Sequence, residues 1–338
     1  MKPKVKLIDI AKALNISTTT VSKALNDKSD ISAKTKKAVL DLAKKWDYRP
    51  NNVAISLRKK RTLNLIGVVL PNVDHYFYST ILKGIITKAS TENYLVLVGE
   101  SNQDAEKEKL ILDEFINYGI NGVLLAPSPG SEYDLNLKKI KDYRIPHILI
   151  DRTFEGYAGH YVKSDDYRGA LKAVNHLIEQ GYTKIAHIKV SDNWSVGSDR
   201  LRGYEDALKQ NDFAIRPDYI VACDLADKQE GIEIASNLLT LDNPPDAIFT
   251  VNDRVASGIL EYAKEHDIAI PKDLGIVGFS NSMISSAVSP KLTTVEQRGE
   301  AMGELAFDYF FESLKNKDAV FQKTFESKLI IRESSMRR

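Results

Sequence analysis

Leu7-Ile8-Asp9-Ile10-Ala11-Lys12-Ala13-Leu14-Asn15-Ile16-Ser17-Thr18-Thr19-Thr20-Val21-Ser22-Lys23-Ala24-Leu25 is a run in which two helical patterns meet at a single break. Leu7, Ile10, Ala11 and Leu14 recur at helical spacing, so residues 7–14 read as a short amphipathic helix. Asn15 tolerates the left-handed backbone a tight turn needs, and Ser17 is a good N-cap for a second helix. From Thr18 to Leu25, Val21, Ala24 and Leu25 face inward and leave Thr18, Thr19, Ser22 and Lys23 outside. Asn26 to Asp30 is polar and turn-like. Ser32 then caps a third helix with Ala38, Val39, Leu42 and Trp46 on one stripe. Three short helices with so brief a turn between the first two make a helix-turn-helix, although another small bundle can give the same pattern.

Charge separates this head from the rest. Residues 1–61 hold 16 Lys and Arg against five acids, a net of +11, while residues 62–338 hold 31 against 41, a net of −10. The whole-chain charge of +1 hides that division. A compact basic head suits a polyanion, because Lys and Arg displace counterions from phosphates. A merely solvated basic surface is the plain alternative. The length of 338 residues, with 43% hydrophobic and 28% charged, fits two or three globular domains and excludes collagen-like or wholly disordered chains. No apolar run approaches the ~18–20 residues of a membrane helix, and none near the N-terminus suits a signal sequence. The single cysteine, Cys223, excludes a disulfide framework and a Cys-based zinc site. A cytoplasmic protein without a membrane partner is expected.

After the bundle comes Tyr48-Arg49-Pro50-Asn51-Asn52-Val53-Ala54-Ile55-Ser56-Leu57-Arg58. Pro50 ends the bundle, and Asn51 starts a stretch too short to be a stable helix alone. At this point the sequence resembles the LacI/GalR family of transcriptional regulators. Asp9-Ile10-Ala11, Ser17 with Thr20-Val21-Ser22, and Tyr48-Arg49-Pro50-Asn51 match that family's DNA-binding head, and the likeness continues through the chain. The resemblance implies a hinge helix that orders on operator DNA, with Leu57 as a wedge in the minor groove. It implies DNA contacts at Ser17, Thr18, Thr19, Thr20, Ser22, Lys23, Asn26, Asn51, Ala54, Leu57 and Arg58. Lys23 can donate to a guanine edge, and a Thr methyl can meet a thymine methyl. Lys6 stands where many relatives have a capping hydroxyl, which should fray the first helix slightly.

From residue 63 apolar strands alternate with amphipathic helices. Strands are expected at Leu65–Leu70, Leu95–Gly99, Gly122–Ala126, His147–Ile150, Lys184–Val190, Ile220–Cys223, Ala247–Val251 and Gly275–Phe279. Helices are expected at Ser79–Thr91, Glu106–Tyr118, Gly169–Gln180 and Val255–His266, among others. Repeated units of this kind mean an α/β body of parallel sheets covered on both faces, and two doubly wound lobes suit its size better than one sheet. The resemblance implies a body similar to type I periplasmic binding proteins. It divides the chain into a helix-turn-helix domain at 1–50, a hinge at 51–62 and a body at 63–338. The first lobe would take 63–162 and 293–325, and the second 163–292 and 326–338. The chain would cross near Val162, Thr293 and Phe325, and Ser327–Arg332 would return to the second lobe as a last strand.

In open α/β sheets ligands bind beyond the carboxyl ends of the strands. The residues found there are aromatic, carboxylate, guanidinium and amide groups, the mixture that stacks on a small ring and fixes its hydroxyls. Each also has a simpler reading: Asp151 and Arg152 as a local ion pair, Asp253 as a helix N-cap, Phe77 and Tyr78 as core. The resemblance assigns effector contacts to His75, Phe77, Tyr78, Asp151, Arg152, Arg200, Leu225, Asn252, Ser280 and Gln297. Ser280 stands where the family usually has an aspartate, and Leu225 where many members have an aromatic. An effector larger, or less densely hydroxylated on that side, than a simple pentose is expected.

No G-x-G-x-x-G, G-x-x-x-x-G-K-[ST] or G-x-S-x-G occurs where its chemistry requires it, and the six histidines lack H-x-x-x-H spacing. The expectation is a non-enzymatic regulator without cofactor or metal. As a homodimer it would bind palindromic double-stranded operator DNA under control of a small, carbohydrate-like effector. A periplasmic sugar carrier is opposed by the missing signal sequence and the basic head, and a sugar hydrolase or kinase by the missing catalytic groups.

Overall fold

A computed structural model of the chain describes residues 5–25, 27–46, 48, 64–129, 133–154, 156–190 and 195–337. The chain divides into two units, 1–63 and 64–338.

In the first unit, α1 (Leu7–Ala13), α2 (Thr18–Leu25) and α3 (Ala33–Lys45) enclose Ile10, Ala11, Val21, Ala24, Val39 and Ala43. Asn15 takes a left-handed φ of 50° between the first two helices. Ser17 Oγ accepts the Thr20 N–H at 3.0 Å, and Ser32 Oγ accepts that of Thr35 at 3.2 Å. At the start of the first helix the Lys6 side chain makes no cap hydrogen bond, and only the return half of a capping box remains: the Lys6 N–H donates to Asp9 Oδ2 at 2.8 Å. On α3 the expected stripe is out of phase. Ala38 and Trp46 are exposed, because the face that packs runs through Val39, Leu42 and Ala43.

The second unit contains two six-stranded sheets. Their strands are β1 (Leu65–Leu70), β2 (Leu95–Glu100), β3 (Gly122–Leu125), β4 (His147–Ile150), β5 (Tyr161–Ser164), β6 (Ile185–Val190), β7 (Ile220–Cys223), β8 (Ala247–Thr250), β9 (Gly275–Phe279), β10 (Thr293–Glu296), β11 (Gln322–Phe325) and β12 (Lys328–Ile330). The first sheet runs β2-β1-β3-β4-β5-β11, parallel throughout. The second runs β7-β6-β8-β9-β10-β12, parallel except for β12, which is antiparallel to β10. Central strands are buried on both faces, as in all six residues of β1, which is why they read as unbroken apolar runs.

Two crossings come slightly later than expected. Ser164 still pairs with Phe325 in the first sheet, and Thr293–Val295 pair with Val277–Phe279 in the second. Ladder bonds thus hold residues 163–164 with the first lobe and 293–296 with the second. The four helices given bounds from the sequence also start earlier than expected: α4 (Tyr76–Thr91), α5 (Ala105–Tyr118), α7 (Asp166–Glu179) and α10 (Asp253–Glu265). The N-cap of α10 is Asn252, whose Oδ1 accepts the Val255 N–H at 2.8 Å, so Asp253 is not a cap.

The first lobe is sealed by α4 against α12 (Gly299–Lys315). Their approach is close enough that a Cβ on Gly303 would lie 2.0 Å from the Ile81 carbonyl oxygen, and one on Gly84 2.1 Å from that of Glu300. Behind them Phe307 and Phe310 fill the core with Ile81 and Ile85. Gly303→Ala should therefore force the helices apart and cost about 1–3 kcal/mol, the usual effect of overpacking. Urea unfolding of the variant beside the wild type measures it.

Candidate functional site

In the head, Thr18, Thr19 and Lys23 occupy the exposed face of α2, while Thr20 and Ser22 are half-buried. Ser17 and Thr20 are engaged in the cap, their hydroxyls 2.9 Å apart. Lys23 pairs with Asp30 across the following turn, and Lys36 pairs with Asp27 at 2.7 Å. Exposed pairs of this kind exchange readily for another partner. Asn26, Asn51, Ala54, Leu57 and Arg58 lie outside the described residues.

In the second unit, all ten residues that the resemblance assigns to the effector line one cleft: His75, Phe77, Tyr78, Asp151, Arg152, Arg200, Leu225, Asn252, Ser280 and Gln297. Phe77 and Tyr78 line the cleft and belong to the first lobe's core as well. Asp151 follows β4 in a left-handed conformation, φ 67°. Its Oδ2 accepts the Tyr78 hydroxyl at 2.7 Å and lies 3.5 Å from Arg152 Nε, while its Oδ1 is buried with no hydrogen-bond partner among the described residues. The local ion pair therefore exists, and it leaves half of the carboxylate uncommitted.

Arg200 extends from α8 (Ser195–Gln210) into the cleft wall. Its Nη1 donates to the Val251 carbonyl at 2.7 Å, its Nη2 lies 3.2 Å from Asp166 Oδ1, and the guanidinium sits 3.7 Å from the Phe279 ring centroid. Gln297 Nε2 donates to the same Asp166 oxygen at 3.3 Å and to Ser164 Oγ at 3.1 Å, while its Oε1 accepts the Ser280 hydroxyl at 3.2 Å. Asp166 was not anticipated, because nothing in its sequence neighbourhood announces partners on α8 and after β10. Burial pushes its carboxyl up to about 6, against the opposing pull of Arg200.

The loop carrying Ser280 is held in strained form, with φ of 101° at Ser280 and 46° at Asn281. Asp253 anchors it by accepting the Ser282 N–H at 2.6 Å and the Thr294 hydroxyl at 2.5 Å, and Arg332 Nη2 donates to Asn281 Oδ1 at 2.8 Å. Leu225 stands 77% exposed on the opposite rim. It is fixed there because Glu230 accepts the N–H groups of Asp224, Leu225 and Ala226 at 2.7, 3.0 and 2.7 Å. His75 is half-buried, and its imidazole is held down to about 4 by desolvation first and then by the Arg254, Arg200 and Arg152 charges. It is a neutral wall of the cleft at physiological pH. Arg254, Gln103, Val190 and Val196 also line the cleft without having been nominated. Arg254 lies two residues past Asn252, within reach of the same strand-end rule. Among the described residues, no group of three or more His, Cys, Asp or Glu could hold a metal ion, and no helix is long and apolar enough to cross a membrane.

A family model for bacterial regulatory proteins of the lacI family matches residues 6–51, and one for a periplasmic binding protein-like domain matches residues 174–335. The HTH-type transcriptional regulator RegA of Clostridium saccharobutylicum is 31% identical over 97% of this chain and 98% of its own length. The lac repressor dimer bound to operator and the anti-inducer ONPF superposes with a TM-score of 0.83 at 23% identity, over 98% of this chain and 99% of that one. A LacI family transcriptional regulator from Enterococcus faecium with bound ribose superposes with a TM-score of 0.71 at 23% identity, over 80% and 98%.

Asp166 gives the cleft a pH signature. The folded chain keeps this proton where the unfolded carboxyl has lost it, so the group favours folding below about 4 and has lost that advantage once pH passes about 6. Asp166→Asn should remove this part of the pH dependence of stability between pH 4 and 6 and leave the slope above it unchanged. Denaturant midpoints measured across that window test it.

Proposed function

We propose, for a chain that belongs to the lacI family of bacterial regulatory proteins, that it is a cytoplasmic repressor whose operator affinity is set by a sugar or sugar derivative held between its lobes. That it is a DNA-binding transcriptional regulator rather than an enzyme follows from the family. The observation that carries the finer reading is Asp151, whose Oδ1 is buried beside Arg152 and Tyr78 without a partner among the described residues. A carboxylate oxygen sealed in that way costs about 1–3 kcal/mol, which a donating ligand hydroxyl relieves. Asn252, Arg200, Gln297 and Ser280 supply further polar groups, and Phe77 and Tyr78 supply aromatic surface. The ribose bound to the Enterococcus faecium regulator supports a sugar. Ser280 in place of a carboxylate and the exposed Leu225 favour a ligand with an apolar or less hydroxylated end.

The DNA-reading role falls on Thr18, Thr19 and Lys23, with Lys23 exchanging Asp30 for a base edge or phosphate. Ser17, Thr20 and Ser22 support that helix. Residues 51–62 form the hinge, where Asn51, Ala54, Leu57 and Arg58 meet the minor groove. A palindromic operator calls for a two-fold dimer. The lac repressor is a dimer on its operator, and here the edge strand β2 offers the surface. Leu95 and Val98 on β2 are exposed, as are Ile86 on α4 and Leu110 and Tyr118 on α5 (Ala105–Tyr118). An unpaired edge with apolar side chains suits a second copy of the chain.

A gel shift on the DNA upstream of the protein's own gene, with and without sugars from a thermal-shift screen, tests the whole reading; no retarded band sinks it. Retardation should weaken steeply with salt, and Lys23→Ala should cost about 1–3 kcal/mol on operator and much less on random DNA. For the cleft, Asp151→Asn is a cleaner probe than Arg200→Ala, because Arg200 also braces Val251 and Asp166. Asn tolerates the left-handed backbone at 151, so the shape survives while the charge goes. Binding of the screened sugar should weaken by about 1.5–3 kcal/mol in calorimetry.

A further inference from the structure

The cleft carries a fastening that none of these roles uses. Asp74 lies on the first lobe, in the turn between β1 and α4, and Arg254 is the second residue of α10 on the second lobe. Arg254 Nη2 donates to Asp74 Oδ2 at 2.5 Å, so one ion pair reaches from lobe to lobe. Short-range bonds set both arms. The Asp74 N–H donates to Asn72 Oδ1 at 2.8 Å, and Asn252 anchors the start of α10 while donating to the Ala226 carbonyl at 2.9 Å. Asn72 and Asn252 themselves line the cleft. Each arm is therefore joined to a residue that a molecule in the cleft would touch. Beside the cleft lies a second hollow, and His75, Asn252, Arg254 and Ser280 belong to the walls of both. Arg254 thus stands where the two hollows adjoin.

We propose that the Asp74–Arg254 pair is a latch that biases the two lobes toward their closed arrangement. Arg254, which also lines the cleft, then positions the effector site by favouring closure; this consequence rests on the effector site proposed above. The side chains of Asp74 and Arg254 are 79% and 37% exposed. A pair so open to solvent shifts an equilibrium by no more than about fivefold. That is a bias and not a lock, which suits a cleft that must open and close. Because apparent affinity falls with the fraction of chains in the competent state, releasing the latch lowers effector affinity by the same factor.

The test needs neither ligand nor DNA, so its failure and that of the effector reading are distinguishable. The full chain carries spin labels at Asn102→Cys on the first lobe and Gln229→Cys on the second, both exposed positions, with the buried Cys223 left unlabelled. Distance distributions are then compared. Asp74→Ala and Arg254→Ala should each enrich the longer distances, by up to about fivefold, and the double exchange of Asp74→Arg with Arg254→Asp should restore the wild-type distribution. Raising the salt from about 0.05 to 0.5 M should move the wild type the same way and leave Arg254→Ala unmoved. Unchanged distances in both single variants, or an exchanged pair as open as the single variants, would overturn the latch.

Discussion

Asp166 accepts Arg200 and Gln297 on one buried oxygen, at the place where the chain first leaves one sheet for the other. Gln297 sits just past the second crossing and also holds Ser164, the last residue of β5, and Ser280, the first after β9. Arg200 reaches on to the carbonyl that follows β8. Two connecting segments and three strand ends are thus tied through one carboxylate. Such a network is worth having only when every member is satisfied, because a buried guanidinium without its partner is far costlier than the pair is valuable. This is why the cleft wall is built from residues so far apart in the chain.

The two lobes solve the same problem with different means. In the first, glycines let α4 and α12 touch backbone to backbone, and the rings of Tyr94, Phe307, Phe310 and Phe311 do the filling. In the second, the Ser280 loop is held in an unfavourable conformation by charged groups, Asp253 at the start of α10 and Arg332 two residues past β12. A packed first lobe and a braced second lobe make two stiff bodies joined by three short segments, the arrangement in which motion is confined to the connections.

Much of this was legible in the sequence, because apolar runs and cap residues act locally. Leu65–Leu70, His147–Ile150, Ile220–Cys223 and Gly275–Phe279 are strands over the expected residues, and Asn15 and Ser17 turn and cap as their chemistry requires. Nine of the ten cleft residues follow strands expected from the sequence, where the carboxyl ends of parallel strands gather them, while Gln297 came from the resemblance alone. What stayed illegible depended on partners remote in sequence. Ala38 and Trp46 fell off the packed face of α3, since helical spacing alone does not decide which of two adjacent stripes meets the neighbouring helices. Asp253 looked like a cap and serves a loop about thirty residues downstream. Asp74 and Arg254 were each ordinary surface charges until the fold brought them together.

The edge strands bear on how the molecule is made. β11 completes the first sheet and β12 the second, and both come after residue 321. A ribosome releasing about 5–20 residues per second has delivered the head, and most of each lobe, well before either sheet has its last strand. Until then β5 and β10 present unpaired backbone, and the loop that needs Arg332 has no brace. The two lobes therefore mature together, within a few residues of synthesis, and neither finishes ahead of the other. The DNA-binding head is thus exposed before the body exists in finished form.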